Sequence, residues 1–207
     1  MNSLSNDFLD GVSRETVDKL QVFVDCLEKW SAKINLIGPS TKKDVWTRHI
    51  ADSLQLASLV ELPKRWIDLG SGAGFPGLII AILMAERGDG WVHLVESNQK
   101  KASFLRAALL ETGGRGEVHA VRIEDFAKND IETDIVSARA LASLDMLFEY
   151  SAPWLSQSAR GLFHKGRDYR AEIDKARDRW QFDLVLHRSA IEADSVILDV
   201  KSLARNY

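Results

Sequence analysis

The amino-acid sequence predicts an α/β fold, with a mostly parallel sheet of seven strands, helices on both of its faces and an N-terminal helical extension. Two patterns support this prediction: helical periodicity over the first 63 residues, and short β-rich segments that alternate with helical ones from residue 64 onward. A length of 207 residues with 45% apolar content is enough to fill the core of one such domain. We therefore expect a single globular unit, with the extension in residues 1–63 and the core in residues 64–207.

The N-terminal extension contains two segments with helical periodicity. Between Ser13 and Asn35 the apolar residues recur at intervals of three and four, which is the spacing of one helix face. Pro39 interrupts this pattern, and residues 42–60 then predict a second helix that ends before Pro63. Each helix has one apolar face, so we expect both to pack on the core as a cap.

The core alternates between strands and helices. The predicted parallel strands are RWIDLG, WVHLVE, EVHAVR, DIVSAR and RGLFHKG. The helices between them are LIIAILMAE, NQKKASFLRAALLETGG and LASLDMLFEYSAPWL. Asn98 is a suitable N-cap for the second of these helices, and Gly113 is a suitable C-terminal stop. Two later segments, FDLVLHRSAI and DSVILDVKSL, predict an antiparallel hairpin at the sheet edge.

Composition and charge limit the class of protein. A net charge of −3 and a pI near 6.0 exclude a generally basic nucleic-acid coat, so any nucleic acid must bind at a local patch. The single cysteine, Cys26, excludes a disulfide framework and a multi-cysteine zinc site, and we expect it to be a small buried hydrophobe. The N-terminus has no signal-peptide pattern, and no apolar run approaches the roughly 20 residues of a membrane span. We expect a cytoplasmic protein without membrane contact and without a bound metal.

The segment IDLGSGAGFPG, residues 67–77, joins the first strand to the next helix through a glycine-rich turn. Gly70, Gly72 and Gly74 have no Cβ, so the backbone can turn tightly and a ligand can approach its amides. Such a turn suits either a dinucleotide or S-adenosylmethionine. The dinucleotide fingerprint requires its third glycine where this chain has Phe75, and this register disfavours NAD.

Acidic residues follow the next two strands. Glu96 ends the second strand, where a carboxylate can accept hydrogen bonds from ribose hydroxyls. Glu124 and Asp125 follow the third strand and predict a second acidic loop, suited to the adenine amino group. The alternatives are structural: the glycines form a tight turn, Glu96 is an anion at a helix N-terminus, and Glu124 and Asp125 belong to a solvated loop.

Several longer motifs resemble one known family. These motifs are WSAKINL, TRHIADSL, IDLGSGAGFPG, LVESNQKKASFLR, VRIEDF, SARALASL and LFHKG, and they extend over nearly the whole chain. The set is similar to the bacterial small-subunit ribosomal RNA methyltransferase G family, also called glucose-inhibited division protein B. The resemblance implies a Rossmann-like, class I S-adenosylmethionine-dependent enzyme that methylates N7 of guanine 527 in the 530 loop of 16S ribosomal RNA.

The resemblance also implies roles for individual residues. Gly70 and Phe75 are expected to line the cofactor pocket, Ile123 and Glu124 to flank the adenine, and Arg139 to close the site. Some family members carry an acidic pair or Ala-Glu where this chain has Ile123-Glu124, so Ile123 is expected to contribute its backbone.

The residues are compatible with methylation of guanine N7. This nitrogen has a lone pair and no proton, so its attack on the sulfonium methyl needs no general base, and the site must supply orientation and a dry surrounding. Cys26 belongs to the first predicted helix, so no nucleophilic cysteine follows the fourth strand. Arg139 ends that strand and can bond a guanine edge, a phosphate or the cofactor carboxylate, or else form a structural salt bridge. We expect it to position rather than to stabilise the transition state.

Basic residues that flank the same sheet edge are candidates for contact with RNA phosphates. They are Arg48, His49, Lys100, Lys101, Arg106, Lys165 and Arg167. The alternative for each lysine is a solvated surface charge, and His49 can instead form a structural hydrogen bond with Asp52. The expected partner is 16S ribosomal RNA or the small ribosomal subunit, bound by a monomer. The rival functions are methylation of a small molecule or protein, a nucleotide-dependent oxidoreductase and a non-catalytic ribosome-assembly factor.

Overall fold

The computed structural model describes residues 9, 11–38, 44–62 and 64–206. These residues form a seven-stranded sheet with helices on both faces, in the strand order β3-β2-β1-β4-β5-β7-β6. The strands are β1 Arg65–Leu69, β2 Trp91–Val95, β3 Gly116–His119, β4 Ile135–Arg139, β5 Arg160–Lys165, β6 Trp180–Arg188 and β7 Val196–Arg205. The predicted α/β class and all seven predicted strands are confirmed.

The directions of the strands show at which edge of the sheet a ligand is expected to bind. Strands β1 to β5 are parallel, whereas β7 runs antiparallel to both β5 and β6. The predicted hairpin is confirmed, although its second strand lies inside the sheet and its first strand forms the edge. The chain order reverses between β1 and β4, and ligands of open α/β sheets bind beyond the carboxyl ends of the strands at such a switch point.

The described residues include the predicted helices, with small changes at their ends, and two further helices, Ile123–Phe126 and Tyr169–Arg177, that the sequence did not predict. They are α1 Arg14–Ser31, α2 Ala51–Ser58, α3 Gly77–Arg87, α4 Gln99–Thr112, α5 Ile123–Phe126, α6 Leu144–Leu155 and α7 Tyr169–Arg177. The Asn98 side chain accepts hydrogen bonds from the first amides of α4, and Gly113 ends that helix in the left-handed conformation. Both predicted caps of α4 are confirmed.

The second predicted helix begins with a π-helical turn, Val45–Ile50, and continues as α2. Its wider turn shifts the phase of the side chains, which a pattern based on 3.6 residues per turn does not predict. Such turns are frequent at functional sites, and this one carries Arg48 and His49. The predicted break at Pro39 and the predicted helix end at Pro63 lie outside the described residues.

Apolar side chains fill both faces of the sheet. On one face α1, α3 and α4 bury residues such as Phe23 and Phe104, and on the other α6 buries Phe148 against Phe163. Cys26 is fully buried in α1, and burial raises the pKa of its thiol to about 11, so it is a small core residue as predicted. Within the described ranges, no helix is long and apolar enough to cross a membrane.

Candidate active site

The glycine turn after β1 has a backbone that favours glycine. Gly70, Gly72 and Gly74 have φ angles of 66°, 53° and 89°, all in the left-handed region. At Gly72 an added Cβ would meet its nearest described atom, the carbonyl oxygen of Gly70, at 3.6 Å. The chain therefore leaves open space over this part of the loop, which allows a ligand to approach the backbone closely.

Asp68 anchors this turn from below, a role that the sequence did not predict. Its buried carboxylate accepts hydrogen bonds from Ser137 Oγ at 2.7 Å and from the amide of Gly77 at 3.2 Å. A Cβ at Gly77 would lie 2.5 Å from Asp68 Oδ2, so glycine is required at the start of α3. Burial raises the pKa of Asp68 to about 6, although these hydrogen bonds oppose the rise. Asp68 thus joins β1, β4 and α3 beneath the site.

Glu96 holds the turn from the side. Its Oε2 accepts a hydrogen bond from the amide of Gly72 at 2.9 Å, and its Oε1 accepts one from the amide of Asn98 at 2.7 Å. A carboxylate has about four acceptor positions, so two remain for a ligand. Glu96 can therefore serve both predicted roles: its carboxylate lies at the start of a helix, and it can still accept hydrogen bonds from ribose hydroxyls.

A cavity of about 530 Å³ opens above the turn, at the carboxyl ends of β1, β2 and β4. Such a volume suits a ligand the size of a nucleoside cofactor. The predicted cofactor residues that line it are Gly70, Gly72, Phe75, Glu96, Ile123, Glu124 and Arg139. Gly74, also predicted, does not line it. A Cβ there would lie 3.0 Å from Leu78 Cβ, so this glycine allows the turn to pack on α3.

The acidic segment after β3 is a helix rather than the predicted loop. Glu124 and Asp125 both belong to the single turn of α5. Glu124 lines the cavity with Ile123, whereas the Asp125 carboxylate lies 2.7 Å from Lys128 Nζ and does not line it. Adjacent residues on a helix point in different directions, which separates the two carboxylates.

The helical extension also contributes to the cavity, which the sequence did not indicate. The additional lining residues from the extension and from the segments after β4 include Leu36, Ile37, Gly38, His49, Leu141 and Tyr150. The extension is therefore part of the site as well as a cap on the core.

His49 lies in the cavity wall, not on the predicted RNA-binding rim. Its ring lies 4.9 Å from the ring of Phe75 at an interplanar angle of 30°. Both ring nitrogens are buried without a hydrogen-bond partner among the described residues, so the alternative bond to Asp52 is also absent. Burial, together with the charges of Arg139 and Arg48, lowers the pKa of His49 to about 4. His49 is therefore a neutral aromatic wall at pH 7.

Arg139 ends β4 between this cavity and a second one of about 250 Å³. Its Nε lies 3.3 Å from Oδ2 of Asp52, and that oxygen lies 3.4 Å from Nε2 of His164. Burial alone would raise the pKa of Asp52, but the contact with His164 and the charge of Arg139 outweigh it and lower that pKa. Arg139 is thus in the predicted place, with a buried structural partner as well.

Paired charges line the second cavity or lie beside it, and two of the predicted RNA contacts belong to such pairs. Lys165 was predicted to contact RNA, but only 8% of its side chain is exposed. Its Nζ lies 2.5 Å from Glu172 and donates a hydrogen bond to the carbonyl of Ala142. Arg48, another predicted RNA contact, forms a hydrogen-bonded ion pair with Glu192. Lys165 is therefore held by its carboxylate partner, whereas the Arg48 side chain is 43% exposed and also reaches the surface.

The remaining basic candidates differ in exposure. Lys100, Arg106 and Arg167 are exposed, and Arg106 also donates a hydrogen bond to the carbonyl of Val118. Lys101 is half-buried and lines the first cavity, so it faces the predicted cofactor rather than open solvent. Three of the seven predicted RNA contacts are therefore exposed residues, Arg48 is partly exposed, and RNA contact by any of the seven stays a prediction.

Comparison with known proteins gives the family of this fold and site. The family model described as rRNA small subunit methyltransferase G, GidB, matches residues 16–196. The chain belongs to this family. It is 59% identical to the ribosomal RNA small subunit methyltransferase G of Allorhizobium ampelinum over 197 residues, which cover 94% of this chain and 93% of that one. The resemblance inferred from the motifs is confirmed.

Solved structures with low sequence identity share the fold of this methyltransferase G family member. Fibrillarin of Aeropyrum pernix, solved with natively bound S-adenosyl-L-methionine, has a TM-score of 0.56 at 16% identity and covers 74% of this chain and 75% of its own. The ribosomal protein L11 methylase of Lactobacillus delbrueckii subsp. bulgaricus has a TM-score of 0.56 at 17% identity, covering 83% and 81%. The predicted class I methyltransferase fold is confirmed.

Proposed function

We propose that the protein transfers a methyl group from S-adenosylmethionine to N7 of guanine 527, in the 530 loop of 16S ribosomal RNA. The family supports ribosomal RNA of the small subunit as the substrate, and the fold supports S-adenosylmethionine as the methyl donor. One observation carries the proposal: the cavity above the glycine turn and the cavity of paired charges meet at Arg139.

The first cavity has the groups that an S-adenosylmethionine molecule requires. Glu96 keeps two acceptor positions for ribose hydroxyls, and the loop at Gly72 leaves space for close backbone contact. Ile123 and Glu124 would flank the adenine. When bound, the cofactor supplies an electrophilic methyl group on a sulfonium centre.

The second cavity is suited to an acceptor that has no proton to lose. Asp52 is an ionised carboxylate with a lowered pKa, so it is a weak base, and it is already paired with Arg139 and His164. Guanine N7 needs no base, which matches this arrangement. The chain's contribution is to orient the base and to exclude water.

Charge balance around Arg139 also favours this acceptor. Methylation of N7 makes the guanine ring cationic, and an unpaired guanidinium beside it would oppose the reaction. Asp52, 3.3 Å from Arg139, offsets that charge, and Glu192 and Glu172 line the same cavity. Arg139 can then hold the base edge or a neighbouring phosphate without a net positive wall.

RNA contact outside the cavities is proposed for the exposed basic residues. Lys100, Arg106 and Arg167 can neutralise phosphates, while the overall charge of −3 limits non-specific binding. We propose that a monomer acts on the RNA, and size-exclusion chromatography with light scattering would measure this.

The direct test uses ribosomal RNA from a strain that lacks the enzyme. We expect incubation with the protein and S-adenosylmethionine to add one 7-methylguanosine per RNA, detected by nucleoside mass spectrometry, and none when guanine 527 is replaced by adenine. Naked RNA, assembly intermediates and intact small subunits are assayed side by side. If none of the three gains 7-methylguanosine, the proposal is wrong.

A second measurement separates the rival classes. S-adenosylhomocysteine should raise the melting temperature and NAD should not, because a ligand stabilises only the fold that binds it. Stabilisation by NAD alone would favour an oxidoreductase. Binding of S-adenosylhomocysteine with methylation of protein or small molecules, but not of RNA, would favour the other methyltransferase class.

A further inference from the structure

A cluster of metal-ligating side chains lies outside the active site, at the β3 edge of the sheet. His93 belongs to β2, and Glu117 and His119 belong to β3. The parallel register pairs His93 with Glu117, and successive residues of a strand alternate between faces, so all three side chains share one face. One ligand atom from each residue lies within 4.8 Å of the others.

The distances are close to those of a metal site. Nδ1 of His93 lies 2.9 Å from Nε2 of His119, and Oε2 of Glu117 lies 3.9 Å from the same nitrogen. Two imidazole nitrogens, each about 2.0–2.1 Å from a tetrahedral zinc ion, are separated by about 3.4 Å. The two rings therefore need to move apart by only about half an ångström to admit the ion.

We propose that His93, Glu117 and His119 form a binding site for a divalent transition-metal ion of the zinc type. Two imidazoles and one carboxylate are ligands that zinc accepts, and a water molecule completes a tetrahedral set. The Glu117 side chain is 62% exposed, which leaves a path for the ion and room for that water. Calcium and magnesium prefer sites built from oxygen ligands.

The surroundings resemble the apolar shell of a metal site. The buried ring of Phe126 lies 4.7 Å from the ring of His119 and 6.0 Å from that of His93. Such a shell limits solvent access and holds the ligands in place.

The structural alternative is a hydrogen bond between two neutral imidazoles, one donating and one accepting. In that case the pair joins β2 to β3 without an ion. A bound metal would take the place of the shared proton, which would move to the other nitrogen of the same ring, and it would add Glu117 to the connection. The two alternatives differ in what zinc does to the protein, so they can be separated by experiment.

The position of the cluster predicts which segment a bound ion would hold. The backbone carbonyl of His119 accepts a hydrogen bond from the amide of Glu96 at 3.0 Å. The chain after His119 continues to Ile123 and Glu124 in the wall of the first cavity. An ion would therefore fasten the end of β3 beside that wall. This site does not depend on the proposed acceptor guanine.

The test is a zinc titration of the tag-free, chelator-treated full chain, followed by isothermal calorimetry. We expect one high-affinity zinc ion per molecule and a higher melting temperature with zinc than with chelator. His93→Asn and His119→Asn should each weaken binding at least about tenfold. His187→Asn is the matched control, because His187 is a half-buried histidine beside a carboxylate on the opposite edge strand. Its affinity should equal that of the unsubstituted protein.

Two further measurements guard against variants that do not fold. Glu117→Gln changes an exposed side chain and should weaken zinc binding about tenfold without loss of the fold. Pulsed electron paramagnetic resonance of the unsubstituted protein with one equivalent of Cu²⁺ should detect two imidazole ligands. Absence of zinc binding at micromolar concentrations, equal affinity in either histidine variant, equal affinity in Glu117→Gln or fewer than two imidazoles would each overturn the proposal.

Discussion

The two cavities that meet at Arg139 are built in different ways. The first is made largely of backbone: a glycine turn with positive φ angles, secured by the carboxylates of Asp68 and Glu96. The second is lined by charged side chains in pairs, such as Lys165 with Glu172. In the first cavity a ligand can lie close to the main chain of the glycine turn. In the second cavity positive and negative side chains offset one another around any group that enters it.

The difference has a consequence for how each cavity responds to substitution. A backbone turn is lost when a side chain occupies its space, whereas a network of buried pairs is lost when one member leaves a charge without its partner. Arg139 belongs to both cavities, so substitutions around it can show where cofactor binding ends and acceptor positioning begins.

The largest expected effect is on methyl transfer in Arg139→Ala. Arg139 lies between the cavities and is expected to hold the acceptor base in position. Without its guanidinium the base would be misplaced, which should lower the transfer rate about 100-fold. Affinity for S-adenosylhomocysteine should change less than threefold. Single-turnover methylation and calorimetry measure the two quantities.

Arg160→Ala is the matched control for this substitution. Arg160 also lies on a strand, pairs with a buried carboxylate, Asp199, and has a side chain 22% exposed against 18% for Arg139. It lines neither cavity described here, so transfer per folded molecule should be unchanged. If Arg139→Ala lowers the affinity for S-adenosylhomocysteine as much as it lowers the transfer rate, Arg139 binds the cofactor and does not position the acceptor.

The next largest effect is expected for Gly72→Val, which tests the first cavity as Arg139→Ala tests the boundary between the two. The valine methyl groups would enter the space above the turn, and overpacking of about 2 kcal/mol would weaken S-adenosylhomocysteine about 30-fold. Gly88→Val is the control, because Gly88 has a φ of 74° and ends α3, away from the cavity. Equal melting temperatures in the two variants, with affinity lost in Gly72→Val alone, would support the assigned pocket, and equal affinities would contradict it.

A smaller effect is expected from Glu124→Ala. Glu124 lines the first cavity, and one lost hydrogen bond of about 1 kcal/mol should weaken S-adenosylhomocysteine about fivefold. The adjacent Asp125→Ala is the control, because that carboxylate contacts Lys128 instead. Similar affinity loss in both variants would mean that α5 acts through its fold rather than through Glu124.

The effect that is smallest at neutral pH concerns His49 in the wall of the first cavity. The folded pKa of His49, about 4, lies below its ordinary value of 6.5, so between these values the unfolded chain binds more protons than the folded one. This residue therefore contributes a loss of stability as the pH falls from 6.5 towards 4, and no change above that window. His49→Phe keeps the contact with Phe75 and removes this contribution.

The measurement is the urea midpoint of both proteins across pH 4 to 8. The variant should gain stability relative to the original protein on acidification, and the difference should be constant above pH 6.5. Asp68, whose raised pKa of about 6 acts in the opposite direction, is present in both proteins and cancels in the difference. A difference that does not vary with pH would show that His49 is protonated alike in both states.

Local patterns predicted the features that depend on neighbours in the chain. Strand alternation, the caps at Asn98 and Gly113 and the glycine turn all follow from interactions within a few residues. The π-helical turn at Val45–Ile50 did not follow, because its extra residue per turn falls outside the helical period. The packing role of Gly74 was also missed, since the contacts with Leu78 and Phe23 come from two other helices.

The basic residues show the limit of sequence reasoning most clearly. Arg48 and Lys165 have the composition of an RNA-binding rim, yet each is paired with a carboxylate from another segment, and Arg48 and Glu192 are 144 residues apart. In a sequence, a lysine that faces solvent cannot be distinguished from a lysine that is buried in an ion pair. Only the partner, which the fold supplies, distinguishes them.

By itself, the sequence determined the fold class, the glycine turn and the family. Each of these can be recognised from short contiguous motifs, in which the residues that matter are neighbours in the chain. Tertiary structure alone decided that Asp52 balances Arg139, that His49 is a buried wall and that His93 meets Glu117 and His119. The physical reason is that charge pairing, burial and ligand geometry depend on distances in space. Strand register and helix packing determine those distances, and neither is encoded in a short stretch of chain.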